Sequence, residues 1–180
     1  MHHRSEGSNA SGHYNHDPGV LALARTVVAR GALLLLAAAA LYQGVWAQLA
    51  PRSFYLDFPG GMSWVAGEGP YNEHLARDIG GLINGLAVVA IVAAWTLSRP
   101  LLLATALGWL IYGLPHLSYH LGHPLDGTSM QELNVFVLTS EIVLPLLGLL
   151  GVSGRRELQW TASSHRAHTS AYQRLLRGER

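Results

Sequence analysis

Apolar residues in this chain fall into four blocks. The first runs from about Thr26 to Ala50 and has its heart at Gly31-Ala-Leu-Leu-Leu-Leu-Ala-Ala-Ala-Ala-Leu41. The others cover about Ile79–Leu97, Leu101–Leu121 and Val135–Val152. Each approaches the roughly 20 residues that a helix needs to cross a hydrocarbon core. The pattern predicts an all-α membrane protein, an antiparallel bundle of four transmembrane helices. The second and third blocks are separated by Ser98-Arg99-Pro100 alone, which forces them to be antiparallel neighbours.

The polar stretches set the domains and the orientation. Residues 1–19 are rich in His, Ser, Gly and Asn and lack apolar periodicity, which predicts a disordered cytoplasmic tail. His2, His3, His13 and His16 there form either a metal-binding tract or a solvated tail. Residues 20–152 form the transmembrane domain. Residues 153–180 form a basic cytoplasmic tail. Tyr172, Leu175 and Leu176 would suit a short helix on an anionic leaflet, the alternative being a disordered tail. Arg4, Arg25, Arg30, Arg99, Arg155, Arg156, Arg166, Arg174, Arg177 and Arg180 belong to one side of a four-span topology, and Arg52 and Arg77 to the other. The positive-inside rule then places both termini in the cytoplasm of a multi-pass plasma-membrane protein. A cleaved leader ending near Ala47 or Ala50 is the competing reading of the first block. The roughly thirty residues before its apolar run are long for a leader's basic region.

Composition narrows the chemistry. Charged residues are 13% of the chain, against roughly 25% in a soluble domain. Formal net charge is +1, so no nucleic-acid partner is implied. There is no Cys, which removes disulfides and thiolate metal sites. No nucleotide, phosphate or hydrolase motif occurs, which argues against a familiar soluble-type enzyme.

The chemistry that remains lies in the third block. His116, His120 and His123 are spaced four and three apart, so one helical face carries all of them. Ionisable groups inside a span are rare and mark functional sites by default. Pro124 stops this helix, leaving His123 near the outer boundary and His116 roughly 10 Å further in. Glu141 in the fourth block lies at about the same depth as His116. His74 and Asp78, four apart at the start of the second block, share a face, and Glu73 can pair with Arg77. Pro115 and Pro145 free the carbonyls of Ile111 and Glu141 from their helical hydrogen bonds. Together these predict a polar pocket in the outer leaflet, with Tyr42 and Gln43 as further wall residues and Asn84 nearer mid-membrane. The loop from Pro51 to Arg77, rich in aromatics, is read as a cap on the bundle or as plain interfacial anchoring.

The candidate metal ligands are therefore His74, Asp78, His116, His120, His123 and Glu141. Imidazole with carboxylate suits a divalent transition metal such as Zn, Cu or Fe; haem is the lesser alternative. Structural His–carboxylate pairs, or a proton, quinone or lipid site, are the competing readings. Gly81-Leu-Ile-Asn-Gly85 is a small-xxx-small pattern for close helix packing, within the bundle or in a homodimer.

Asp78-Ile-Gly-Gly81, Gly113-Leu-Pro-His116 and Glu141 give the region Ala24–Val152 a pattern that resembles the small DoxX-like four-helix membrane proteins. Tyr71-Asn-Glu-His-Leu-Ala-Arg-Asp78 with His116 and His120 also looks like an uncharacterised family of small membrane proteins from high-GC bacteria. The resemblance implies the four-helix fold and carries over no catalytic residue. The functional expectations are a structural or accessory subunit of a membrane complex, a metal- or haem-binding membrane protein, or a small membrane oxidoreductase or transporter. The bilayer is the expected partner, with another membrane subunit or a second copy as the further possibilities.

Overall fold

The computed structural model describes residues 18–125 and 127–152. All regular structure among them is helical: α1 (Pro18–Leu49), α2 (Pro51–Asp57), a 3-10 turn (Ala66–Glu68), α3 (Glu73–Thr96), α4 (Arg99–Gly122) and α5 (Thr128–Gly148). α1, α3, α4 and the stretch Ser129–Val152 are each long and apolar enough to cross a membrane. The expectations for residues 1–17 and 153–180, including the N-terminal histidine tract and the Tyr172–Leu176 helix, lie outside the described residues. Residues 18 and 19, assigned above to the tail, belong to α1.

The helices outrun their apolar blocks for local reasons. Pro18 stands at the first position of α1, where its missing N–H has no helical role. α1 then runs for 32 residues, about 48 Å at 1.5 Å each, well beyond a hydrocarbon core. Asn72 caps α3, its side chain accepting from the Leu75 N–H at 3.1 Å, so the polar turn Glu73–Asp78 joins the helix. α3 ends at Leu97, in the left-handed region (φ 47°), a strained place for a branched side chain. Leu97 holds it because its side chain is buried in the core. Pro115 and Pro145 both lie inside helices that continue past them.

α1 is the central element. Its buried positions Ala22, Thr26, Ala29, Leu33, Leu36, Ala40, Gly44 and Ala47 alternate spacings of mostly four and three. That is a heptad-like seam of small residues. α3 answers with Gly80, Ile83, Ala87, Ala90 and Ala94. At Gly80 an added Cβ would sit 2.6 Å from the Gln48 nitrogen and 2.7 Å from the Gly44 carbonyl. The two backbones therefore touch at Gly44 and Gly80. The Gly81–Gly85 pair is not the contact: Gly85 faces open space, and Gly81 meets only the Gln48 side chain. The seam runs through 80, 83 and 87, one position away from the pattern picked out above.

Contacts order the remaining helices. Gly44 meets Gly80, whereas Ala29 packs in one cluster with Ala93 and Leu97, so numbering rises along α1 as it falls along α3. Gly113 faces Ile142 and Leu102 faces Gly151, the same reversal between α4 and the stretch Ser129–Val152. Trp109, fully buried, fills the middle against Leu36, Ala40, Ile83 and Ala87. The turn into α5 is closed by Gln131, which accepts from the Leu125 N–H at 2.9 Å and donates to the His120 carbonyl at 3.2 Å.

Candidate functional site

The chain between α1 and α3 folds over one end of the bundle. Pro51 starts α2 immediately after α1, and Phe54, Phe58 and Trp64 turn inward. Their rings join those of α1: Trp46 meets Phe58 at 5.9 Å, Phe54 meets Phe58 at 4.7 Å, and Phe58 meets Trp64 at 6.2 Å between centroids. These separations are those of tilted and edge-on aromatic contacts. The cap is pinned by Tyr55, which donates to the Gly69 carbonyl at 2.8 Å, and by Ser63, which donates to the Leu56 carbonyl at 2.6 Å. Arg77 ties α3 to α1 through the Gln48 carbonyl at 2.5 Å and to Glu73 at 2.9 Å.

Under the cap lies a cavity of about 340 Å³. Phe54, Phe58, Trp64, Val65, Ile79, Val137 and Leu138 form its apolar walls. Gln43, Glu68, Tyr112, His116, His120, Asn134 and Glu141 supply the polar groups. A smaller cavity of about 190 Å³ shares Gln43, Phe58, Trp64, Val137 and Glu141 with it and adds Tyr42.

The polar groups form a ladder along α4. Tyr112, His116 and His120 are successive turns of one face, with 5.1 Å between neighbouring ring centroids. Each imidazole faces a carboxylate from another element. His116 Nδ1 lies 3.5 Å from Glu141 Oε2, and His120 Nδ1 lies 3.4 Å from Glu68 Oε1. Gly113 lies beside the first pair; a Cβ there would lie 3.2 Å from the Ile142 side chain and 3.7 Å from Glu141 Cβ. Both pairs are at ion-pair distance, but neither has the alignment of a formed hydrogen bond. Five buried polar atoms at this cavity, three of them from these pairs, lack a hydrogen-bond partner among the described residues: Trp64 Nε1, His116 Nδ1, His120 Nδ1, Asn134 Oδ1 and Glu141 Oε2. Trp64, His120, Asn134 and Glu141 are each at least nine-tenths buried.

The structure divides the six residues picked from the sequence. His116, His120 and Glu141 line the cavity together. His123 is exposed and turned to Tyr119, stacked on its ring at 4.3 Å and bonded to its carbonyl at 3.0 Å. His74 and Asp78 pair with each other at 3.3 Å on an exposed face of α3 and do not line the cavity. Among the described residues, no three His, Asp or Glu side chains are placed to hold one metal ion. Gln43 lines the cavity as expected. Asn84 donates to Gln48 at 2.9 Å beside the Gly44–Gly80 contact. Glu68, Tyr112 and Asn134 are site residues that the spacing did not single out. Asn134 sat in view as the polar residue one turn before Val137 and Leu138, and two before Glu141.

No protein-family model, curated protein or solved structure matches this chain.

Proposed function

We propose that this chain is a multi-pass plasma-membrane protein, an antiparallel bundle of four transmembrane helices, whose capped pocket binds a small amphipathic molecule in the outer leaflet. The DoxX-like resemblance and the cytoplasmic termini belong to the same proposal. Its membrane half is supported by four helices of sufficient length and apolarity, the reversed numbering of their contacts, and the split of ten arginines against two.

The pocket half rests on one observation: five buried polar atoms without partners among the described residues border one apolar-walled cavity. Leaving such an atom unsatisfied costs about 1–3 kcal/mol. A fold that only needed to pack would fill this space with aliphatic side chains. The cavity volume also lies at the lower end of small-molecule sites, roughly 300–1,000 Å³. A transition-metal reading draws on His116, His120 and Glu141 too, but needs a rearrangement to bring three ligands to one point.

The test is native mass spectrometry of protein transferred directly from membranes into lipid nanodiscs. Wild type should retain a small organic mass, or be stabilised against heat by members of an amphipathic compound panel. Val137→Trp, which fills the cavity from its wall, should lose both effects while keeping its helix content. No retained mass and no stabilising compound would leave a water-filled structural pocket and refute the ligand reading.

A further inference from the structure

We infer that this pocket recognises a lipophilic organic cation, an amine or quaternary ammonium with an apolar body, through Glu68, Glu141 and the aromatic wall. The inference rests on the ligand-binding reading above and adds the ligand's charge and class.

Charge comes first. The titratable groups at the cavity are Glu68 from the 3-10 turn, Glu141 from α5, and Tyr112, His116 and His120 from α4. α1, α2 and α3 contribute Gln43, Phe54 and Ile79, none of which titrates. Among the described residues no Arg lines the cavity, and the chain's twelve Lys and Arg side chains are all Arg. With neutral imidazoles the described residues give the pocket two carboxylates and no fixed cation. The side chains that face those carboxylates are the two imidazoles, at 3.4 and 3.5 Å without hydrogen-bond alignment, and Tyr119 of α4, whose neutral hydroxyl reaches Glu68. Apolar walls strengthen the field of both carboxylates relative to water. An anionic guest would meet two like charges, and a neutral one would leave them unbalanced.

The wall argues the same way. Phe54, Phe58, Trp64 and Tyr112 surround the space, and aromatic faces attract desolvated organic cations. The ammonium body would lie among these rings while its charge meets the carboxylates. A bare metal ion would need converging oxygen and nitrogen ligands, which the described residues do not provide.

Proton linkage follows. A guest cation favours ionised carboxylates and neutral imidazoles, so it displaces protons from the two His–Glu pairs. Binding should weaken as pH falls through the imidazole range.

Full-length protein in nanodiscs is titrated calorimetrically with phenyltrimethylammonium and with its uncharged isostere tert-butylbenzene. At about pH 8 the cation should bind at least ~10-fold tighter than the isostere, and its own affinity should drop by about that factor near pH 5.5. Glu141→Gln and Glu68→Gln should each weaken the cation about 10-fold and leave the isostere unchanged. Glu68→Gln lies in the cap, outside the spans, and decides the matter if Glu141→Gln does not fold. His74→Ala should change nothing. Equal affinity for both probes would overturn the cation class and leave the amphipathic pocket standing. Binding by neither probe would take down both. Cation binding indifferent to Glu68→Gln would place it elsewhere on the protein and overturn the inference.

Discussion

Gly80→Ala should destabilise the bundle although alanine is the better helix former. The new Cβ would lie 2.6 Å from the Gln48 nitrogen and 2.7 Å from the Gly44 carbonyl, both backbone atoms of α1. Carbon contacts relax at roughly 3.5–4.0 Å, so α1 and α3 must separate by about 1 Å. A gap of that size forfeits about a quarter to a half of each contact's attraction along the seam that includes Leu36, Ala40, Ile83 and Ala87. Overpacking of this kind costs about 1–3 kcal/mol, and the helix-propensity gain returns about 1 kcal/mol at most. The net loss reaches about 2 kcal/mol, up to roughly a 30-fold fall in the folded-to-unfolded ratio. Gly85→Ala makes the same chemical change in open space and should be neutral or stabilising. Gly44→Ala would meet Asn84 and the Gly80 carbonyl, and the same helix separation relieves both clashes. The double variant Gly44→Ala/Gly80→Ala should therefore cost less than the sum of its parts. The assay is reversible unfolding in mixed micelles, followed by tryptophan fluorescence. Gly80→Ala as stable as wild type, or Gly85→Ala equally damaged, would show that the helices do not touch at this point.

Single cysteines in this Cys-free chain test the topology: an impermeant maleimide applied to intact cells should label Met62→Cys and Ser129→Cys, both exposed, but not Ser163→Cys, and the reverse pattern would overturn the orientation. Glu141→Leu removes the partner of the half-buried His116 and should cost about 1–3 kcal/mol in thermal unfolding, while Glu141→Gln, which keeps a hydrogen-bonding group, should be milder; equal stability of Glu141→Leu and wild type would mean the pairing holds nothing. Asn72→Ala should cost about 1 kcal/mol by removing the α3 cap and Asn72→Asp should restore it, whereas an unchanged melting point for Asn72→Ala would show that this helix start is held by other contacts.

The sequence by itself determined the features that depend on local periodicity. Apolar block lengths marked the helices long and apolar enough to cross a membrane, because crossing a hydrocarbon core needs a set number of residues. The four-residue spacing put His116 and His120 on one face, and the rise per residue put Glu141 level with His116. Depth along a helix axis is additive, so a count along two chain segments predicted a contact between them. Tertiary structure decided what counting cannot reach. Rotation of α3 about its axis selects Gly80 rather than Gly81 and Gly85, because the seam follows the best fit of the whole face of α1. The same rotation leaves His74 and Asp78 on an exposed face. His123, one turn beyond His120, falls where the helix ends and turns to Tyr119 instead of the pocket. Glu68 was least legible of all. It lies in a segment rich in glycine and aromatics with no period to read, and its place beside His120 depends on how that segment folds across the end of the bundle. A periodic element carries its geometry in its own hydrogen bonds, whereas a loop takes its path from the surface it covers, and five of this pocket's fourteen lining residues come from the segment that caps it.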